Sequence, residues 1–420
     1  MSQIKSKIHF AWFVLVGLCI IVGLGKAGLN NTAGLFITPV SKDLDIGVGN
    51  LTLYLSISSI VTMVFLPIGG RILAKYDVRT VLIVAILLQA GAFSMFGLMN
   101  SVWGWYIFSI PLAIGGVFIT VIAGPVVINT WFKKRNGIAL GILSAFGGVL
   151  GVFTQPIVGN LITNLGWRTS YYAIGIAVII IVIPTVLFLI RNSPKDKGLV
   201  QYGAESVAEG EESNGASTNS GITFKDAKKS LAFLLLALFF FIITAVSSFT
   251  IHIPTYLANQ GYDVKFTGNA MAATALGVFI GSLLFGYLTD RIGVKITSLL
   301  AMLIGLLSIT MLLLFVDVVT LIIVALVLFG CMTSSIGTIA PALTTAMFGS
   351  RDYSQIYSTV SLGLAVASVI ALPAYGYIFD FSGSYVPAFY IIIGMFVLNI
   401  LFVILAFHNK EKMVQEGLWR

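Results

Sequence analysis

Apolar windows of about 20 residues recur along the whole chain, and that is the length a helix needs to cross hydrocarbon about 30 Å thick. Inside lipid the backbone must satisfy its own hydrogen bonds, which leaves helices or closed barrels. Barrel strands alternate apolar and polar residues, whereas runs such as Val178-Ile179-Ile180-Ile181-Val182-Ile183 do not. Composition agrees: 58% of the 420 residues are hydrophobic and 10% are charged, against roughly 25% charged in a soluble domain. The expectation is an all-α membrane protein with twelve transmembrane helices. Their approximate limits are 10–36, 49–70, 80–98, 103–130, 137–162, 170–191, 231–256, 266–289, 296–315, 319–346, 353–378 and 386–408. The first run is long enough to span, so no cleavable signal peptide is expected.

A net charge of +8 raises the question of nucleic acid, but its distribution answers for a membrane. With the N-terminus inside, 20 Lys and Arg fall on inner segments, from Lys5 and Lys7 to Lys412 and Arg420. Only Lys42, Arg168 and Lys265 fall in outer loops. That asymmetry places both termini in the cytoplasm by the positive-inside rule and predicts a multi-pass protein of the cytoplasmic membrane, with the bilayer and not nucleic acid as its partner. Cys19 and Cys331 lie in apolar helices and read as small buried hydrophobes. One cation is left over. Lys26 lies inside the first helix.

Residues about 216 positions apart match at four landmarks. Gly70 pairs with Gly286 and Arg79 with Lys295. Gly124-Pro125 pairs with Ala340-Pro341. Phe132 and Arg135 pair with Phe348 and Arg351. Gly159 and Gly166 pair with Gly376 and Gly383. A single offset that registers loops, prolines and basic residues together implies two six-helix halves of parallel topology, 1–191 and 231–420. The join at 192–230, with Pro194, several Gly and Ser and the acidic Glu209, Glu211 and Glu212, reads as a flexible cytoplasmic linker.

Two such halves related about the membrane normal describe the major facilitator arrangement. Gly70-Arg71-Ile72-Leu73-Ala74-Lys75-Tyr76-Asp77-Val78-Arg79 resembles that superfamily's loop between helices two and three, and Gly286-Tyr287-Leu288-Thr289-Asp290-Arg291-Ile292-Gly293 is a fuller copy. The resemblance implies two pseudo-symmetric six-helix bundles. It also implies a gate in which Gly70 and Gly286 allow close helix approach and Asp77, Arg79, Asp290 and Arg291 latch the outward-open state. More narrowly, Asn129-Thr130-Trp131-Phe132-Lys133-Lys134-Arg135-Asn136-Gly137 and Ser193-Pro194-Lys195-Asp196-Lys197-Gly198-Leu199 are similar to the monocarboxylate porter and oxalate/formate antiporter group. That group usually carries an arginine in the eighth helix. Here Ser282 stands near its place, so the group's substrate does not transfer directly.

Charged groups at membrane depth mark substrate or ion paths. All 16 carboxylates fall in loops, tails or helix ends on these spans, which argues against a buried proton relay. Lys26 lies 14 residues beyond Trp12, about 21 Å along the helix, and so somewhat outside the midplane. Asn30 is one turn further on the same face. An ammonium without a carboxylate partner needs negative charge from elsewhere, and a bound anion supplies it. Lys26 and Asn30 are therefore candidate substrate contacts. Gln155, Ser334, Tyr357 and Ser361 are candidate lining residues, and His252 is a candidate proton carrier. Asn129, Thr333 and Ser335 are weaker candidates for the same path. Trp103, Trp105 and Trp167 read as interfacial belts.

Together these residues predict a monomeric secondary transporter of a small organic anion, a monocarboxylate above a dicarboxylate, by proton symport or anion exchange. The alternative is an exporter of hydrophobic compounds in which Lys26 is structural. An enzyme is not expected, since the sequence offers no metal cluster, nucleotide loop or cofactor motif; Gly23-Leu24-Gly25 lies inside a span, where it cradles no phosphate.

Overall fold

A computed structural model describes residues 9–133, 135–204 and 221–417, less the side chains of Ala74 and Asn136. Lys5, Lys7, Lys134, Arg420 and the acidic residues Glu205, Glu209, Glu211 and Glu212 lie outside the described residues. Eleven continuous helices among the described residues are long and apolar enough to cross a membrane. The longest, Asn136–Leu189, is broken at Gly166, whose φ of 76° and ψ of 162° belong to glycine rather than to a helix. It counts as two spans, and the total is twelve.

We number them α1 (Phe10–Leu44), α2 (Val48–Lys75), α3 (Val78–Leu98), α4 (Val102–Trp131), α5 (136–165) and α6 (167–189). The second set is α7 (Leu231–Ile251), α8 (Val264–Ile292), α9 (Val294–Leu314), α10 (Val319–Phe348), α11 (Tyr353–Ser382) and α12 (Val386–Gln415). Among the described residues there is no strand, only isolated bridges between Phe132 and Tyr202 and between Gly221 and Gly349. The offset read from the sequence reappears in helix ends. Shifting α3 by about 216 positions reproduces α9, and shifting α2 reproduces α8 to within a residue. Irregularities repeat as well. α4 widens into a π-helical turn at Val117–Ile122, and α10 breaks at Ser334, the same distance along.

The helices form two compact units that do not follow the two halves of the sequence. Unit 1 comprises Met1–Thr32, Val61–Gly151 and Leu165–Asn214. Unit 2 comprises Ala33–Ile60, Val152–Asn164 and Gly215–Arg420. Unit 1 is packed around Phe93, Phe96, Trp105, Trp131 and Tyr171, all at most 2% exposed. The Trp105 ring stacks on Phe96, and Trp167 packs edge-on against Tyr171. These two tryptophans therefore belong to the core and not to an interfacial belt, and only Trp103, 68% exposed, has a belt position.

Unit 2 holds the far ends of α1, α2 and α5 against helices of the second half, through contacts that only glycine permits. A Cβ on Gly376 would sit 2.7 Å from the Cα of Gly49, and one on Gly159 would sit 3.1 Å from the Cα of Gly268. The Asp380 carboxylate accepts hydrogen bonds from the backbone N–H of Val48 (2.9 Å) and Gly49 (2.7 Å), capping the start of α2. Tyr377 donates to Asn50 Oδ1 at 2.9 Å, and Ser56 to the Val369 carbonyl at 2.6 Å. By contrast, a Cβ on Gly70 or Gly286 would meet nothing within 4 Å. Within unit 2 the tight backbone approaches fall at Gly49, Gly159, Gly268 and Gly376.

Residues 192–204 and 221–230 are the described parts of the join. Residues 194–197 form a 3-10 turn closed by a capping box between Ser193 and Asp196. Tyr202 exchanges backbone hydrogen bonds with Trp131 and Lys133, so this end of the join is held to α4.

Candidate functional site

α1 runs for 35 residues from Phe10 to Leu44, longer than the sequence spans allowed. The polar Asn30-Asn31-Thr32 and the proline at position 39 do not end it. The helix absorbs Asn30 in a π-helical segment, Leu24–Asn30, whose wider turn is closed by the Asn31 N–H to the Lys26 carbonyl at 2.9 Å. Pro39 is accommodated inside the following helical segment. This extension moves Lys26. It lies about 24 Å from Phe10 and about 27 Å from Leu44 along the axis, near the middle of this helix.

Lys26 is nevertheless solvent-exposed, as is Asn30, while Gly25, Ala27, Gly28 and Leu29 around them are buried. The stem of Lys26 runs past α5 at Gly147, where a Cβ would stand 3.8 Å from the Lys26 Cδ. The ammonium makes no hydrogen bond or ion pair with any described residue.

The widened turn is held from behind by α3 and α4. Gln89 of α3, fully buried, donates from Nε2 to the Gly25 carbonyl (3.2 Å) and to Asn30 Oδ1 (3.3 Å). A Cβ on Gly25 would press to 2.5 Å from Ile119 Cγ2, in the second π-helical segment. Two widened turns thus meet at a glycine, and one amide bonds to two residues of the first, Gly25 and Asn30. Gln89 carries no charge and so does not stand out in the sequence as Lys26 does. Its signal was a lone amide within the 18 apolar-rich residues Val78–Met95.

The remaining candidates lie in unit 2. His252 is fully buried: its Nε2–H donates to the Leu372 carbonyl at 2.7 Å, and Nδ1 accepts from the Tyr385 hydroxyl at 3.0 Å. Both ring nitrogens are used inside a cluster with Phe249 and Tyr375, so the structure gives His252 a packing position with no face toward a solute. Ser334 is buried, donates to the Cys331 carbonyl at 2.7 Å and marks the break in α10. Thr333 and Ser335 likewise bond their own helix. Gln155 is 3% exposed. Tyr357 is half-buried and stacks on Tyr353 with ring centroids 5.5 Å apart. Ser361 interrupts α11 between Tyr353–Val360 and Leu362–Ser382, and its buried hydroxyl has no hydrogen-bond partner among the described residues. Lys26 and Asn30 thus share one turn of unit 1, and the other candidates belong to unit 2. Ser282, near the place of the missing arginine, only bonds back to Val278.

At the motif loops, Asp77 caps α3 by accepting from the Arg79 and Thr80 N–H groups, and takes a further bond from Asn192 at 2.7 Å. Arg79 donates from Nε to the Ile190 carbonyl at 2.8 Å. This copy ties α3 to the end of α6. In the other copy Asp290 is exposed and makes no hydrogen bond or ion pair with a described residue, while Arg291 lies over the Tyr287 ring at 5.5 Å. No group of three or more His, Cys, Asp and Glu among the described residues is arranged to hold a metal.

Known proteins agree with this architecture. The chain is 25% identical over 363 residues to the tetracycline resistance protein, class H, of Pasteurella multocida, covering 85% of this chain and 86% of that protein. It is 21% identical over 403 residues to monocarboxylate transporter 12 of Mus musculus, covering 90% and 82%. The solved structure of a mutant of the nucleoside transporter NupG superimposes with a TM-score of 0.73 at 13% identity, covering 94% of this chain and all of that one. The pattern of the Major Facilitator Superfamily matches residues 15–271 and 259–416, nearly the whole chain. Twelve helices, a repeat that registers them in two sets and this match lead to one assignment: the chain is a transporter of the Major Facilitator Superfamily.

Proposed function

We propose that this protein is a secondary transporter of a small monocarboxylate, working by alternating access in the cytoplasmic membrane with both termini inside. One observation carries the reading: the exposed Lys26 near the middle of α1, without an acidic partner among the described residues. A single cation matches a single carboxylate, and the absence of an arginine near Ser282 disfavours a dianion. The similarity to monocarboxylate transporter 12 points the same way. Asp77, Arg79, Asp290 and Arg291 then act as the inner gate, and Asp380 with the glycine contacts of unit 2 as the outer one. The repeat halves 1–191 and 231–420 are the moving bodies. Proton symport and anion exchange both fit this scheme.

The similarity to a tetracycline resistance protein favours a second reading, export of hydrophobic compounds with Lys26 as a structural group. Uptake of radiolabelled formate, acetate, pyruvate and lactate into proteoliposomes separates the two. The anion reading expects uptake of at least one, lost in Lys26→Gln. Uptake that survives unchanged in that variant contradicts it.

A further inference from the structure

The exposed face of the widened turn presents more than one donor. Asn30 points its Oδ1 at Gln89 Nε2, 3.3 Å away, which directs its own Nδ2 away from α3. That amide nitrogen makes no hydrogen bond to a described residue, and Asn30 is exposed one turn beyond Lys26. A carboxylate has two oxygens and accepts from both kinds of donor at once, one from the ammonium and one from the amide.

What decides this arrangement is Gln89. As an acceptor-only or apolar side chain it would leave Asn30 free to rotate and present its carbonyl, which repels an anion. Its own position leaves little freedom. Gln89 is fully buried, its second bond goes to the Gly25 carbonyl, and a Cβ on Gly115 would already stand 2.9 Å from the Gln89 Cβ. One amide thereby ties both ends of the Leu24–Asn30 turn.

We infer that Gln89 is a positioning residue for anion selectivity: it orients the Asn30 amide as an N–H donor beside Lys26, so that the two residues together bind one carboxylate. This rests on the anion reading above. The test uses the full-length protein in proteoliposomes and, of formate, acetate, pyruvate and lactate, the one transported fastest. Gln89→Met, similar in size, removes both donors. Its KM rises about tenfold or more, as expected for losing a hydrogen bond to a charged group, while kcat changes less than about twofold. Asn30→Ala gives a similar rise, and the double variant is no worse than Asn30→Ala alone, because Gln89 acts through Asn30. Asn30→Asp, at an exposed site that does not threaten folding, keeps the acceptor for Gln89 but removes the outward donor and loses uptake.

An unchanged KM in monodisperse Gln89→Met, effects that multiply in the double variant, or normal KM in Asn30→Asp overturns the inference. If Lys26→Gln abolishes uptake in the same series while those variants behave normally, only the role of Gln89 falls. If Lys26→Gln is also normal, or none of the four anions is transported, the anion reading falls with it.

Discussion

Replacing Gly376 by alanine should open the far end of the transporter. The methyl group would stand 2.7 Å from the Gly49 Cα, 2.8 Å from its nitrogen and 2.9 Å from Thr52 Oγ1. Carbon contacts prefer about 3.5–4.0 Å, so the α2 and α11 backbones must part by somewhat under 1 Å. The neighbours cannot yield otherwise. Two of them are backbone atoms, and Thr52 Oγ1 is bound to the Val48 carbonyl at 2.8 Å and the Gly49 carbonyl at 3.1 Å. Overpacking of this kind costs about 1–3 kcal/mol. In alternating access that cost falls on the state with this contact formed and not on the state that lacks it. The ratio of the two populations should then shift about 5- to 150-fold toward the open form, since 1.4 kcal/mol is tenfold. The assay is labelling of Asn30→Cys by a membrane-impermeant maleimide from the outer side, with Cys19 and Cys331 changed to serine. Gly394→Ala, where a Cβ meets nothing within 4 Å, is the control. Labelling should accelerate in Gly376→Ala and stay unchanged in the control. A folded Gly376→Ala protein that labels at the parental rate would refute the argument that this contact closes the outer path.

Other outcomes follow from the same contacts. Asp380→Asn weakens two charge-assisted bonds to the start of α2 and should speed outer labelling in the same direction, by roughly tenfold. His252→Phe removes the buried hydrogen bonds to the Tyr385 hydroxyl and the Leu372 carbonyl and should destabilise the detergent-solubilised protein by about 1–3 kcal/mol, read as a lower Tm, while KM for the transported anion stays the same; a raised KM at unchanged Tm would make His252 a substrate contact after all. Gly147→Leu fills the space along the Lys26 stem and should weaken anion uptake with little effect on Tm, and normal uptake would place the stem elsewhere.

Much of the fold was legible in the sequence because membrane solvation acts on every residue of a span. Twenty apolar residues announce a helix wherever they occur, and the repeat offset places α2 and α3 onto α8 and α9. Lys26 stood out for the same reason, as the one cation out of place. Its depth did not. Asn30, Asn31 and Pro39 look like the end of a helix, and only a widened turn, with Gln89 bonding across it, carries the helix on to Leu44. Partners distant in sequence were equally hidden. His252 looks like an interfacial histidine until Leu372 and Tyr385 enclose it, and Trp105 looks like a belt residue until Phe96 stacks on it. Glycine contacts between segments distant in sequence are hidden in the same way. The residues at 70 and 286 sit in open space, while those at 49 and 376 carry the contact.

The most direct test of the account is equilibrium binding by purified protein, with small carboxylates added in a thermal-shift titration against the wild type and Lys26→Gln. A ligand at a hundredfold excess over its Kd stabilises the folded state by about 2.7 kcal/mol. The account predicts a clear rise in Tm with at least one monocarboxylate, absent in Lys26→Gln and retained in part by Lys26→Arg. An equal rise in the glutamine variant would show that the ammonium at the centre of α1 does not hold the anion.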